Sequence, residues 1–378
     1  VNSSKNNNFI PSKKLSGLKI SGIRQMNSLA GPNTINLGLG QMMDFETPKP
    51  LIDAGIKAFK SKPLVYTDNA GLLSLRTLIA KEHGLKPETV VVTNGAEQAL
   101  YNVISSFIDP DDEVLIPEIS YPAYEAIVKL NYGKKIEFKL DKDLKIDLND
   151  IASKISKRTK LVIINSPSNP CGVDYSELYK ELANIVDKND GLYILSDEVY
   201  SKLYLNGAKP ESITKYTDKA IVVDSISKRS AATGLRLGWS IAPEDITKEI
   251  SKVQQYVSTC ASLISQESAI PVLNGNCSND EKNYRDILRK NRDLVTKGLS
   301  AIKNISFVKP SGGFYCFPNI SNYGTSYDVS LRILKEADVL TIPGTAFGKA
   351  GEGHIRISFA VSTKKLKMAI TRLRQVLR

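Results

Sequence analysis

Apolar residues in this chain gather in short runs separated by longer amphipathic stretches. Six such runs lie between Val90 and Asp224: Val90–Thr93, Glu113–Pro117, Lys135–Leu140, Leu161–Asn165, Tyr193–Ser196 and Ala220–Asp224; Gly238–Ile241 makes a seventh. Each has the length of a buried strand. The stretches around them show helical spacing, as in Leu72, Leu75, Leu78 and Ile79, or Ala96, Ala99, Leu100, Val103, Ile104 and Phe107. Strand and helix in alternation predict an α/β fold, with a mostly parallel seven-stranded sheet flanked by helices. Past Trp239 the pattern changes. Residues 244–275 and 280–303 read as long helices, the second charged and amphipathic, and Gly353–Ala360 alternates as a strand. The predicted division is a flexible tail over 1–14, an N-terminal arm over 15–44 that joins a small α+β domain, a large domain over 45–280, and the small domain proper over 281–378.

In a doubly wound sheet, ligands bind beyond the carboxyl ends of the strands, and the chemistry-bearing residues of this sequence sit at those ends. After Ala220–Asp224 come Ser225, Ser227 and Lys228, with Arg236 eight residues on. A lysine emerging from a buried strand beside another cation has its ammonium disfavoured, so its amine becomes a nucleophile for an aldehyde. Two hydroxyls and an arginine suit a phosphate. An aldehyde and a phosphate on one ligand suggest pyridoxal 5′-phosphate; the plain alternative is an ordinary basic loop. After Val90–Thr93, Gly95 marks a helix start whose free N–H groups, with those of Ala96 and Glu97, suit an anion. Asn165-Ser166-Pro167-Ser168-Asn169-Pro170-Cys171-Gly172 is forced into an extended loop by its two prolines. Asp197 leaves the buried run Leu192–Leu195, where a carboxylate needs a cation, and the protonated ring nitrogen of pyridoxal phosphate is one.

Taken together these motifs resemble the class I and II aminotransferases, the fold type I pyridoxal-phosphate enzymes, over roughly residues 15–375. Ser-x-Ser-Lys followed by Thr-Gly-x-Arg-x-Gly-Trp, at Ser225–Trp239, is similar to the family's cofactor-lysine signature. The resemblance implies that Lys228 carries the cofactor and that Arg236, Ser225 and Ser227 bind its phosphate, with backbone at Gly95, Ala96 and Glu97. In Pro-x-x-x-Tyr-Pro-x-Tyr, Tyr121 would stack on the pyridine ring. In Asn-x-Pro-x-Asn-Pro-x-Gly, Asn169 would bond the cofactor's 3′-oxygen and help seat the substrate carboxylate. In Asp-Glu-x-Tyr, Asp197 would keep the ring nitrogen protonated and Tyr200 would bond the 3′-oxygen, leaving Glu198 structural.

Further along the resemblance, Arg356 would grip the substrate α-carboxylate in a bidentate fork that lysine cannot copy. The backbone N–H of Gly40, in Leu37-Gly38-Leu39-Gly40, would meet the same carboxylate. The family usually continues there with Pro-Asp-Phe, and here Met42-Met43-Asp44-Phe45 stands instead. Tyr66, in Tyr-x-x-x-x-Gly, would cross to the partner's phosphate, which implies a homodimer with shared active sites. Pro310–Pro318 resembles an active-site rim strand. Gly344–Lys349 is one residue too short for a P-loop, and Ala350 replaces its Ser/Thr; Pro343–Gly348 matches the family's Pro-Gly-x-x-Phe-Gly better.

Composition excludes more than it selects. The chain has 378 residues, 42% hydrophobic and 24% charged, as an ordinary globular protein does. Nothing approaches ~18 consecutive apolar residues, so no membrane span is expected. The polar start Val1–Asn8 lacks a signal peptide's apolar core and, without Met, suggests a trimmed terminus. Cys171, Cys260, Cys277 and Cys316 have no metal or redox spacing, which points to a reducing cytoplasm. Only two histidines, His83 and His354, argue against zinc sites and His-dependent triads. The net charge of +11 is spread over lysines with no run of five, so nucleic-acid binding is not expected.

The resemblance implies ping-pong transamination between an L-amino acid and a 2-oxo acid. A β-lyase or a cyclopropane-forming synthase of the same fold would keep every motif, since both also begin by deprotonating Cα. A transcription regulator with such a domain would need a DNA-binding domain before residue 15, where the polar segment is too short. In an aspartate-specific branch a lysine at the position of Glu97 binds the side-chain carboxylate; Glu97 would repel it, which favours aromatic, aliphatic or sulfur-containing amino acids.

Overall fold

The protein was analysed as a computed structural model, which describes residues 10–378. The first nine residues of the expected tail lie outside the described residues, and Lys13–Leu15 form an exposed 3₁₀ turn. The seven predicted strands are all present and form one sheet: β1 (Val90–Thr93), β2 (Glu113–Pro117), β3 (Lys134–Phe138), β4 (Thr159–Asn165), β5 (Tyr193–Asp197), β6 (Ala220–Ser225) and β7 (Gly238–Ile241). Their order is β1-β7-β6-β5-β4-β2-β3. Only β7 runs antiparallel, to β1 and to β6; the other neighbours are parallel.

The central strands are legible because both faces are covered. β1, β6 and β7 are buried at every position, which turns alternation into a continuous apolar run. One face packs on Val90, Val92, Ile164, Ile194, Val222, Trp239 and their neighbours, the other on Val91, Ile116, Ile163, Leu195, Ile221 and Val223. Strand polarity brings the carboxyl ends of β4, β5 and β6 to one edge, in register at Asn165 with Asp197.

A second core is built on shorter strands. Ile355–Ser358 pairs antiparallel with Ile342–Pro343 and with Tyr315–Cys316, and Ile35–Asn36 pairs in parallel with Val339–Leu340. Helices Ser278–Ser300, Ser326–Ala337 and Thr363–Val376 cover this group through Leu288, Val295, Val329, Ile333, Leu366 and Leu373.

The expected single helix over 244–275 is a correction. It is two helices, Glu244–Ser258 and Leu263–Leu273. Thr259 takes φ +63°, Asn69 donates to its carbonyl at 2.6 Å, and Ser262 caps the second helix by accepting from Ser265 N. A tertiary hydrogen bond and a local cap override a periodicity that runs through the break. Among the described residues no helix is long and apolar enough to cross a membrane.

Candidate active site

β6 delivers its last residues directly into the site. Ser225 ends the strand and caps the one-turn helix Ile226–Arg229, its Oγ accepting from Ser227 N at 3.3 Å. On that turn Lys228 extends its Nζ to donate to the Gly40 carbonyl at 2.6 Å. Burial, and then the charge of Arg356, pull the lysine down from 10.5 to about 8, against the opposing pull of Asp197. A free amine is therefore accessible near neutrality, as a nucleophile requires.

Asp197 ends β5 beside it, 5% exposed. Its Oδ2 accepts from Tyr124 Oη at 2.6 Å and its Oδ1 from Val199 N at 3.3 Å. Burial raises this carboxyl to about 6, and the tyrosine bond, the Val199 N–H and Lys228 hold it from going higher. Tyr121 stands edge-on to Tyr124, ring centroids 5.7 Å apart. Asn165 receives the Asn169 N–H at 2.7 Å and donates to the Asp197 carbonyl at 2.8 Å, which ties the loop after β4 to the end of β5.

Arg356 closes the site from the second core. Its guanidinium is 1% exposed; NH1 donates to Asn169 Oδ1 at 2.8 Å and NH2 to the Gly38 carbonyl at 2.5 Å. It lies over the rings of Tyr315, 4.4 Å, and Phe347, 4.7 Å. Nε has no partner. Tyr200 and Tyr315 share a hydroxyl–hydroxyl bond of 3.0 Å behind it. Gly40 allows this closeness: a Cβ there would lie 2.5 Å from Tyr315 Oη.

At the far end, Gly95 caps the helix Ala96–Phe107 with φ +85°. A Cβ on it would lie 2.6 Å from the Arg236 guanidinium, so only glycine lets that arginine reach the helix start. Arg236 itself takes φ +49° and donates to the Thr233 carbonyl at 3.1 Å. The first-turn N–H groups of Ala96 and Glu97 face no intrahelical acceptor.

Three charges in this region lack a counter-charge. Among the described residues Asp197 pairs with no cation, and neither Arg356 nor Arg236 pairs with a carboxylate. Asp197 and Arg356 are buried, and a buried charge without a partner is costly unless a ligand supplies one; Arg236 is exposed and carries no such cost. A cationic ring nitrogen, a phosphate and a substrate carboxylate are the matching groups, so the donor set fits pyridoxal phosphate with an amino acid.

Of the predicted residues, Lys228 reaches Gly40 and Arg356 reaches Asn169, and the charges of Arg356, Asp197, Arg236 and Glu97 act on Lys228. Arg236 abuts Gly95 at the start of the helix that begins with Ala96. Tyr121 and Tyr200 stand beside Tyr124 and Tyr315, and Ser225 and Ser227 belong to the lysine turn. Tyr66 stands apart, 83% exposed on its own chain. Two residues received no role in the sequence reading. Tyr124 holds Asp197, and its signal was a second tyrosine one helical turn after Tyr121. Tyr315 carries the Arg356 guanidinium, and its signal was the aromatic cluster Phe314-Tyr315-Cys316-Phe317. Glu198 faces away: its Oε1 accepts from Ser196, Ser212 and Ile213, and it lines a separate cavity of about 400 Å³.

The sequence profile of the family Aminotransferase class I and II matches residues 32–373. A probable aspartate aminotransferase of Methanocaldococcus jannaschii is 35% identical over 97% of this chain and 99% of its own. A probable N-acetyl-LL-diaminopimelate aminotransferase of Bacillus subtilis is 36% identical over 94% of this chain and 93% of its own. A single mutant of Thermus thermophilus aspartate aminotransferase overlays with a TM-score of 0.92 at 29% identity, covering 98% of this chain and all of that one (100%). Nothing in these likenesses favours a lyase or a synthase. This chain belongs to the class I and II aminotransferases, a family that uses pyridoxal phosphate, and it is a transaminase acting on amino acids and 2-oxo acids.

Proposed function

We propose that this aminotransferase seats pyridoxal 5′-phosphate between Tyr121, Asp197, Asn169, Tyr200 and Lys228, with its phosphate on Arg236, Ser225, Ser227 and the helix start at Gly95–Glu97. The observation that carries the reading is the convergence of a buried carboxylate and two guanidiniums, none of them ion-paired among the described residues, on a lysine held near 8. When bound, the cofactor supplies an aldehyde that takes the amino group and a protonated ring that draws electrons from Cα. Asp197 keeps that proton on the ring nitrogen. Arg356, steadied by Asn169 and Gly38, holds the α-carboxylate so that the Cα–H bond points at Lys228, and the Gly40 backbone bounds the same carboxylate. Lys228 Nζ would take the Cα proton and deliver it, on the same face of the site, to the carbon that carried the cofactor's aldehyde. The buried rings of Tyr200, Tyr315 and Phe347 keep water away from this side of the transfer.

The domain division at 45 and 281 is supported by the pairing of Ile35–Asn36 with Val339–Leu340, which assigns the arm to the small domain. A homodimer with shared sites is supported by exposed apolar side chains around Tyr66. Ile52, Ile56, Phe59, Leu64 and Val65 are exposed, as are Tyr256 and Val257, whose helix end is tied to this segment by Asn69 on Thr259. Exposed large apolar side chains grouped on neighbouring segments mark an interface. The four free thiols support a reducing, cytoplasmic setting.

The charges felt at Lys228 are Arg356, Asp197, Arg236 and Glu97. The two cations have assigned anions, and Glu97 opposes a second carboxylate. This supports a donor with an uncharged side chain, against the aspartate in the names of several relatives. The test is an absorbance spectrum of protein loaded with pyridoxal phosphate, followed by addition of each common amino acid. The expected result is a visible band that bleaches with uncharged donors and is absent from Lys228→Ala. Failure of any band to form, or turnover surviving in Lys228→Ala, overturns the assignment.

A further inference from the structure

The turn that carries Lys228 has little to hold it. Ile226–Arg229 is four residues long, with Ser230 N donating to the Ile226 carbonyl at 3.1 Å and Ala232 N to the Ser227 carbonyl at 3.3 Å. A single turn is unstable by itself, since nucleating it fixes several residues for one hydrogen bond. Ser225 anchors its first end. At the other end the side chain of Arg229, immediately after the lysine, ties the turn to distant elements.

Arg229 is 3% exposed and points to the opposite side of the turn from Lys228. Its Nε donates to Glu281 at 2.7 Å, and NH1 and NH2 form a fork on the two oxygens of Glu82 at 3.1 and 3.2 Å. Glu82 also pairs with Lys202 at 3.0 Å, and the charges of Arg229 and Lys202 outweigh its burial and hold its carboxyl down at about 2. A buried ion cluster of this kind contributes little net stability compared with apolar packing of the same shape. What a planar fork does supply is a fixed position and orientation.

The second carboxylate shows what the position is fixed against. Glu281 lies in the first turn of helix Ser278–Ser300. About 15 Å along the same helix at 1.5 Å per residue, buried Asn291 donates to the carbonyls of Phe359 and Val361 at 2.9 and 2.8 Å. Those residues directly follow the strand Ile355–Ser358 that bears Arg356. One rigid helix thus grips the lysine turn through Arg229 at one point and the carboxylate-binding strand through Asn291 at another.

We propose that Arg229 is a positioning residue for transamination: with Glu281 and helix Ser278–Ser300 it sets Lys228 at a fixed distance from Arg356. The inference rests on the reading of Lys228 as the proton carrier and Arg356 as the carboxylate grip. Loosening the clamp leaves the substrate bound and the cofactor loaded, but moves Nζ off the line of the Cα–H bond. A displacement of that order in a proton-transfer step costs about 10- to 100-fold in rate.

The experiment compares wild type with Arg229→Met, Arg229→Lys and Glu281→Gln, each loaded with pyridoxal phosphate and its loaded sites counted by absorbance. Single-turnover rates are measured with Cα-protiated and Cα-deuterated amino acid. The expected result is a loss of about 10- to 100-fold per loaded site in Arg229→Met, with the deuterium effect fully expressed and the substrate dissociation constant unchanged. Arg229→Lys and Glu281→Gln, which keep part of the clamp and cover a failure of Arg229→Met to fold, fall in between. An unchanged rate per loaded site, with only fewer loaded sites or a lower melting temperature, overturns the proposal and leaves Arg229 structural. Lys228→Ala separates the two levels. Turnover without Lys228 defeats the mechanism itself, whereas loss there beside full activity in the Arg229 and Glu281 variants defeats only the positioning role.

Discussion

Replacing Arg356 by lysine tests the substrate grip with the least disturbance to the fold. The guanidinium has five N–H donors; one is spent on Asn169 and one on Gly38, which leaves three, including the unpartnered Nε. They lie in one plane, fixed by the rings of Tyr315 and Phe347, and two of them can meet both oxygens of a carboxylate. A lysine keeps the charge but offers one bond in that direction and leaves Asn169 or Gly38 unserved. A hydrogen bond to a charged group contributes about 1.5–3 kcal/mol. At 1.36 kcal/mol per factor of ten, its loss lowers kcat/KM for an amino acid about 10- to 150-fold. The assay needs a control that separates the carboxylate from everything else. Turnover of an amino acid is compared with that of the corresponding amine lacking the carboxyl group. In Arg356→Lys the amino acid loses its advantage while the amine keeps its slow rate, and cofactor content is unchanged. An equal loss for both substrates, or no loss for either, refutes the assignment of Arg356 to the carboxylate.

Other outcomes follow from the same geometry. Lys228 held near 8 rather than 10.5 means that capture of pyridoxal phosphate by the cofactor-free protein accelerates with pH and levels off above about 8; stopped-flow absorbance that keeps rising toward 10.5 contradicts it. Tyr124→Phe removes the 2.6 Å donor to Asp197, which lowers kcat/KM by roughly tenfold and shifts the acidic limb of its pH profile upward, because that bond holds the Asp197 pKa down. Phe59→Glu places a charge in the exposed apolar patch, and sedimentation should show a monomer with little activity; a fully active monomer removes Tyr66 from the shared site. Glu97→Lys should raise kcat/KM for aspartate relative to uncharged donors, and an unchanged ratio removes Glu97 from substrate choice.

The large sheet was legible because burial on both faces writes strands as plain apolar runs, and all seven were found with ends shifted by two residues or fewer, within the usual scatter of strand ends. The break at Thr259 was not, since what ends the helix there is a bond from Asn69, 190 residues away. The site was legible wherever a charged or kinked motif sits at a strand end, as at Asp197, Asn169 and Lys228. Tyr124 and Tyr315 were hidden for a physical reason. A tyrosine in an apolar cluster reads as core, and both are core residues, 1% exposed, whose only polar act is one hydroxyl turned inward.

A deeper reason lies in the period of the strand. Neighbouring residues in a strand face opposite sides of the sheet, so each functional pair here divides its labour. Asp197 meets the site while Glu198 turns to the cavity behind the sheet; Ser225 caps the lysine turn while Asp224 lines that same cavity. Past the strand the division continues, with Lys228 forward and Arg229 back on Glu82 and Glu281. A motif read for the chemistry of its forward residues captures one face only. The rear residues are as buried as those in front, and Asp224, raised to about 8 chiefly by burial and so largely protonated near neutrality, sits among Arg229, Lys202 and Glu82 without an ion pair among the described residues. If Arg229 positions Lys228 as proposed, substitutions in the cluster of Glu82, Lys202, Arg229 and Glu281 should act on the proton-transfer rate before they act on binding.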